Sequence, residues 1–267
     1  MSNQAMANRR GFTLIEVLVV VAIIALLISI LLPSLKAARE QSKIVLCASG
    51  LHQIGVGLTT YVTDHRGELP ALYRTSSVFT TYFMRVSGMS VNLGLIATRR
   101  YVKEPEVYYC PGQNPAESAA LAMNGPNNKW ISDAQWAGMT TAERNSVKLR
   151  SSYPARLIEI KAQNTQIGGT EKWEPMGSGK RYGWRQDKFY HKVVYADFTG
   201  VHGFFNSAVD SGYISSPHGR KGINRLFGDT SARWAHATLL ERARKITSQA
   251  PTDDEQVAYY KIMDKKQ

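Results

Sequence analysis

An uninterrupted apolar run near the amino terminus is the feature that most constrains this chain. The run extends from Phe12 to Leu32, a length of 21 residues, and Glu16 is its only ionisable residue. As an α-helix it would be about 31 Å long, which matches the hydrocarbon core of a bilayer. The sequence therefore predicts one helix that can span a membrane.

Glu16 is hard to reconcile with an ordinary membrane anchor, because a carboxylate inside a membrane span costs about 2.5–3.5 kcal/mol. A cleaved secretory signal fits poorly, since its apolar region is usually about 7–15 residues long and ends at a small-residue cleavage site. The pair Arg9 and Arg10 loosely fits twin-arginine export. None of these three interpretations explains the carboxylate.

The segment RRGFTLIE, from Arg9 to Glu16, resembles the amino terminus of type IV prepilins and type II secretion pseudopilins. That family has a basic leader, a glycine, a phenylalanine and a glutamate at the fifth mature position. The resemblance implies that a prepilin peptidase removes leader residues 1–11 by cutting between Gly11 and Phe12, and then N-methylates Phe12. It also implies assembly with further pilin-like subunits, with Glu16 and Pro33 as assembly residues.

Cleavage would also give Glu16 a partner of opposite charge. The new Phe12 amine of a neighbouring subunit, or of the same chain, can pair with the Glu16 carboxylate, so that two charges that are costly alone neutralise each other. The mature chain would have 256 residues (267 − 11) and a formal charge of +10, because two arginines leave with the leader.

A helical stripe follows the apolar run, with apolar residues at spacings of 3, 4, 3, 4 and 3: Ile44, Cys47, Leu51, Ile54, Leu58 and Tyr61. We expect one helix over residues 12–62 that ends at Asp64–Gly67, and Gly50, Gly55 and Gly57 weaken it enough to permit a bend. Pro33 would kink or locally melt it, or would mark its exit from the membrane. The predicted divisions are leader 1–11, membrane or filament-core helix 12–33, and head 34–267.

The predicted elements of the head indicate the α+β class, and the resemblance implies a pilin-like fold with a small antiparallel sheet, loop-rich insertions and carboxyl-terminal helices. Predicted strands cover residues 106–110, 157–161, 193–198, 223–227 and 231–235, and the last two form a hairpin around Gly228-Asp229-Thr230. Predicted helices cover residues 132–144, 238–246 and 253–263.

A second resemblance covers the head. Cys47 to Tyr61, Cys110-Pro111 and the stretch from His218 to Asp229 resemble planctomycete-type pseudopilin-like proteins, which end in a His-x9-Asp-Gly motif. Here ten residues separate His218 from Asp229, and Thr230 stands where the motif has glycine. The resemblance implies a membrane-anchored subunit of a filament or secretion machine.

The two cysteines are expected to form a disulfide if the head lies in the cell envelope. A Cys47–Cys110 bond would close a loop with 62 intervening residues and would stabilise the head by about 4 kcal/mol in the loop-entropy model. The alternative is a pair of buried thiols.

Other site residues are interpreted as structural. His218 and Asp229 suggest the base and orienting acid of a hydrolase, but no nucleophile motif accompanies them, so we expect hydrogen bonds that tie a loop to the final hairpin. The lack of a CxxC pair disfavours zinc. Asp197, Asp210 and Asp229 leave calcium open without a placed site. No cofactor and no enzymatic activity are predicted.

The sequence is compatible with three functions. The first is a structural pilin or pseudopilin subunit in the inner membrane, with its head in the periplasm or cell envelope, or outside the cell in a filament. The second is a minor pilin that binds DNA or acidic polysaccharide, motivated by the formal charge of +12. The third is an anchored envelope enzyme that uses His218.

Overall fold

The computed structural model describes residues 12–70, 72–74, 79–80, 83–86, 88–113, 128, 130–153, 175–176, 179–182, 190–197, 200–201, 214–215, 218, 221–236, 238 and 264. The chain divides into two compact units, Met1–Ser42 and Lys43–Gln267. The leader, the predicted strand 157–161 and almost all of the two predicted carboxyl-terminal helices lie outside the described residues.

The predicted amino-terminal helix is confirmed. Helix α1 runs from Leu14 to Asp64, a length of 51 residues, with Pro33 inside it. Proline has no N–H, so the carbonyl of Ser29, four residues earlier, loses its helical partner. The helix nevertheless continues on both sides of Pro33, so the local melting considered for this position does not occur.

The side chains of α1 change character along its length. Every large apolar side chain from Phe12 to Leu35 is exposed, whereas the later stripe is buried. Its buried members are Cys47, Leu51, Ile54, Leu58 and Tyr61, and Ile44 is half-buried. The predicted 3-4 spacing therefore correctly identified the packed face of this helix.

The glycines of α1 allow close packing. The helix continues through Gly50, Gly55 and Gly57, which are buried. A Cβ on Gly57 would lie 2.5 Å from Cγ2 of Val102, so only glycine fits there without a shift. At the end of the helix, Arg66 and Gly67 have positive φ, and the Gly67 N–H donates to the Val62 carbonyl at 2.9 Å, which is a Schellman-type ending.

The described strands form small antiparallel sheets. The strands are β1 (Leu72–Arg74), β2 (Phe79–Thr80), β3 (Phe83–Val86), β4 (Met89–Ser90), β5 (Lys148–Arg150), β6 (Pro175–Met176), β7 (Gly179–Tyr182), β8 (Val193–Ala196), β9 (Gly200–Val201), β10 (Ile214–Ser215), β11 (Gly222–Phe227) and β12 (Ala232–His236). The strand orders are β2-β1-β7-β6, β10-β9, β12-β11-β8 and β4-β3-β5.

The predicted hairpin near the carboxyl terminus is confirmed. Strands β11 and β12 pair antiparallel, with Asn224 opposite Trp234, and β8 pairs along the other edge of β11. Tyr195 and Leu226 from this sheet share one hydrophobic core with the buried stripe of α1. The sheet therefore packs on the second half of the helix.

The prediction of a strand at residues 106–110 is wrong. Residues Pro105–Tyr108 form a 3-10 helix instead, because proline at the first helical position is preset for a helical turn. Tyr108 is fully buried, and its hydroxyl donates to the Val102 carbonyl at 2.8 Å. Burial of this aromatic ring therefore does not require a strand.

The remaining helices are short. They are α2 (Leu93–Thr98), α3 (Asp133–Gly138) and α4 (Thr141–Ser146). The single helix predicted over 132–144 is thus two helices, each of which begins with a capping box: Ser132 with Gln135, and Thr140 with Glu143.

Candidate functional site

The amino-terminal site consists of Phe12, Thr13 and Glu16 at the start of α1. Phe12 is 78% exposed. Oε2 of Glu16 accepts hydrogen bonds from the Thr13 backbone N–H at 2.8 Å and from the Thr13 hydroxyl at 2.9 Å, and the Glu16 N–H donates back to the Thr13 hydroxyl at 3.3 Å. This is a capping box, so Glu16 caps its own helix. The pattern Thr-x-x-Glu before an apolar run could have predicted it.

A second group of functional side chains lies in the core of the head. Cys47 of α1, Cys110 after the 3-10 helix, Asp197 after β8 and His218 before β11 are all buried. Each residue offers one atom that can bind a metal: Sγ of each cysteine, an imidazole nitrogen of His218 and a carboxylate oxygen of Asp197. These four atoms lie within 4.8 Å of one another. We call these four residues the thiol cluster.

The contacts within the thiol cluster form a closed ring. Sγ of Cys47 lies 2.7 Å from Sγ of Cys110 and 2.7 Å from Oδ1 of Asp197. Nε2 of His218 lies 3.0 Å from Oδ2 of Asp197 and 3.4 Å from Sγ of Cys110. Both cysteines are free thiols. The two predicted partners are therefore neighbours in the core, but the predicted disulfide is not formed in this structure.

Further donors hold the thiol cluster from outside. The backbone N–H of Asn224, in β11, donates to Oδ2 of Asp197 at 2.7 Å, and the Asp197 N–H donates to the Asn224 carbonyl at 2.9 Å. The hydroxyl of buried Tyr153 lies 3.2 Å from Sγ of Cys47. The strand register and the tyrosine thus fix the positions of the carboxylate and of the first thiol.

Burial and neighbouring groups shift the pKa values of Cys47 and His218. Burial raises the pKa of Cys47 well above its ordinary value, and the contacts with Cys110 and Asp197 act in the same direction. Burial alone would lower the pKa of His218, but its hydrogen bonds to Asp197 and Cys110 outweigh that effect and raise the pKa to about 9.

His218 and Asp229 do not form the predicted connection. His218 bonds to Asp197 instead, while Asp229 lies in the β11–β12 turn, where it accepts from the Ser231 N–H at 3.0 Å and from Arg233 at 3.2 Å. Burial would raise the pKa of Asp229, but the bonds from Ser231 and the charge of Arg233 lower it. Asp229 therefore shapes the hairpin turn.

Asp197 and Tyr153 were not recognised from the sequence as partners of the cysteines. Cys47 and Asp197 are 150 positions apart, and no local pattern relates them. Of the three aspartates considered for calcium, Asp197 lies among sulfur atoms, Asp229 in the turn, and Asp210 outside the described residues.

The amino-terminal segment matches a known family model. Residues 6–32 match the prokaryotic N-terminal methylation motif. Helix α1 is also the one helix in the described part of the chain that is long and apolar enough to cross a membrane.

Relatives of known type extend the similarity. The chain is 57% identical over 37 residues, 14% of its length, to a type IV wide pilus major component of Thermus thermophilus, of which 28% is covered. It is 28% identical over 162 residues, 60% of its length, to a fimbrial protein of Neisseria meningitidis, of which 82% is covered. It is 33% identical over 63 residues, 24% of its length, to a ComG operon protein 3 homolog of Bacillus licheniformis, of which 65% is covered.

The chain thus spans less than two thirds of two of these relatives, and no solved structure matches it. The matched methylation motif, residues 6–32, contains Phe12 and Glu16. This chain therefore carries a prepilin-type amino-terminal motif, and its homologues are a type IV pilin, a fimbrial protein and a ComG protein.

Proposed function

We propose that the chain is a pilin-like structural subunit, which assembles through α1 into a type IV pilus-like filament or a secretion pseudopilus. In this proposal a prepilin peptidase cuts between Gly11 and Phe12 and methylates the Phe12 amine. The subunit is held in the membrane by α1 before assembly, and copies of the same chain or other pilin-like chains bind it afterwards.

The exposed apolar surface of α1 is the observation that carries this proposal. The large apolar side chains from Phe12 to Leu35 are between 47% and 80% exposed. An apolar surface of this length cannot stay in water, so lipid or the equivalent helices of other subunits must cover it. In a filament core, the equivalent helices of other subunits would cover this surface. The similarity to a pilus component and a fimbrial protein supports this arrangement.

The capping box suggests how Glu16 can serve two purposes. Both bonds from Thr13 use Oε2. Oε1 accepts no hydrogen bond from the described residues, and it can therefore receive the amine of an incoming subunit. The cap also holds the carboxylate at the first turn of the helix, next to the position at which cleavage creates the Phe12 amine.

Mass spectrometry of the protein from its native membrane tests the processing step. We expect an amino-terminal N-methylphenylalanine at position 12 and loss of residues 1–11. A chain that is inserted in the membrane but still carries its first eleven residues would refute the proposal, because the cationic partner of Glu16 would never form.

Three variants separate the charge of Glu16 from its capping role. Glu16→Gln keeps an acceptor that can close the capping box but removes the charge, whereas Thr13→Val removes the cap and keeps the charge. Glu16→Ala removes both. We expect Glu16→Gln and Glu16→Ala to lose filament assembly alike, and Thr13→Val to retain it.

The assay compares sheared filaments with the membrane fraction by immunoblot. All three variants should still enter the membrane and lose their leader, which serves as the internal control. If Glu16→Gln assembles like the unmodified protein, an ion pair between subunits does not drive assembly.

A further inference from the structure

The thiol cluster brings four side chains that can bind a metal ion together in the core of the head. Four contacts form the ring that joins Cys47, Cys110, His218 and Asp197. All four side chains are buried, and one potential ligand atom from each lies within 4.8 Å of the others. Convergence of this kind is typical of a cation site.

We propose that the thiol cluster is a zinc site, in which the two Sγ atoms, Nε2 of His218 and a carboxylate oxygen of Asp197 are the ligands. Zinc in structural sites takes four protein ligands in a tetrahedron, and it accepts thiolate, imidazole and carboxylate. Calcium needs six to eight oxygen ligands, which this cluster does not contain. The proposal is independent of the assembly function of α1.

The surroundings of the thiol cluster fit a bound dication. Metal sites hold their ligands through outer hydrogen bonds, and here the Asn224 N–H orients Asp197 while the Tyr153 hydroxyl contacts Sγ of Cys47. Zinc–sulfur bonds of about 2.3 Å separate two thiolates by about 3.8 Å. The two sulfurs, now 2.7 Å apart, would therefore move apart by about 1 Å as the ion enters.

The site is structural in character. All four ligands belong to the protein and are buried, whereas a catalytic zinc keeps one position open for water or substrate. The ion would join α1, the segment after the 3-10 helix, the end of β8 and the approach to β11. These segments are distant in the chain, so binding of the metal is coupled to folding of the head.

Zinc and a disulfide exclude each other at this position. Zinc binding removes the hydrogen from each thiol, and any hydrogen from Nε2, and releases them to solvent without a change in the oxidation state of sulfur. A Cys47–Cys110 disulfide would instead require a two-electron oxidant and would leave neither sulfur as a thiolate ligand. The state of the cysteines in the native cell envelope therefore distinguishes the two.

The first experiment uses the unmodified mature chain, reduced, metal-free and folded in detergent micelles. We expect one equivalent of Co²⁺ to produce the thiolate-to-cobalt charge-transfer band of a tetrahedral site, and one equivalent of Zn²⁺ to abolish it. A folded, reduced chain that gives no such band overturns the proposal. So does a Cys47–Cys110 disulfide found by peptide mapping of protein alkylated directly in native membranes.

Matched variants then assign the ligands. Asp197→Asn and His218→Gln should weaken Zn²⁺ binding by at least about a hundredfold, since loss of an outer-shell partner alone costs 10–100-fold. Asp229→Asn and His236→Gln, which change the same residue types on the neighbouring hairpin, should leave affinity unchanged. Equal loss in the ligand and the control variants would overturn the assignment. The cobalt titration of the unmodified chain remains decisive if a ligand variant fails to fold.

Discussion

The buried face of α1 can be tested with two substitutions on the same helix. Ile54 is 0% exposed and belongs to the core of the head, whereas Val56, two residues later, is 53% exposed. Ile54→Ala and Val56→Ala both shorten a β-branched side chain to a methyl group. They therefore differ mainly in whether the lost atoms were packed.

The expected loss of stability follows from burial. Ile54→Ala removes three carbon groups. At about 0.8 kcal/mol for each buried group, the lost transfer free energy is about 2.4 kcal/mol. The cavity left behind adds to this, so the free energy of unfolding should fall by about 2–5 kcal/mol. Val56→Ala should change it by about 0.5 kcal/mol or less, as is usual at exposed positions. The small gain in helix propensity is similar in both variants.

Urea unfolding of the full chain in detergent measures both changes. Every tryptophan lies at or after Trp130, so fluorescence reports on the head and not on the apolar part of α1. With a urea dependence of about 2–3 kcal/mol per molar for a domain of this size, a loss of about 3 kcal/mol lowers the midpoint by about 1–1.5 M. If Ile54→Ala shifts the midpoint no more than Val56→Ala, the stripe from Cys47 to Tyr61 is not the packed face.

Two backbone predictions complete the set. A Cβ on Gly94 would lie 1.8 Å from the carbonyl oxygen of Met84, so Gly94→Ala should destabilise the head by about 1–3 kcal/mol or more. A Cβ on Gly138 would have nothing within 4 Å, so Gly138→Ala should be neutral or stabilising. Equal urea midpoints for the two variants would contradict this prediction. Thr230 has a φ of +67°, a conformation that costs a residue with a Cβ about 1–2 kcal/mol. In thermal unfolding, the Thr230→Gly variant should therefore be more stable than the Thr230→Ala variant. The reverse order would show that the turn is not strained.

Thr230 stands where the His-x9-Asp-Gly pattern that the sequence resembles has glycine. The turn of the hairpin requires a left-handed residue after Asp229, which is the role that glycine performs without strain. The chain keeps the left-handed conformation with threonine in that place, and the Thr230 carbonyl lies 3.1 Å from Nδ1 of His52 on α1. The sequence shows threonine in place of glycine, and the backbone conformation shows that this threonine is strained.

Local pattern was sufficient for the parts of the fold that depend on periodicity. The apolar run, the 3-4 stripe and the Gly67 ending predicted α1 almost to the residue, because a helix face and a helix end are defined by neighbours within about four positions. The hairpin around Asp229 was predicted for the same reason. The strand prediction for residues 106–110 was wrong, because their β-like composition reflects burial of Tyr108 and not an extended backbone.

What the sequence determined by itself is the amino-terminal segment: its span, its single carboxylate and its processing motif lie within 27 consecutive residues. What only the tertiary structure decided is the thiol cluster. Cys47 lies 63 positions from Cys110 and 150 from Asp197, and packing of α1 against the 3-10 helix and β8 alone brings them together. Because such a site depends on distances in space between distant segments, periodicity and spacing could not predict it.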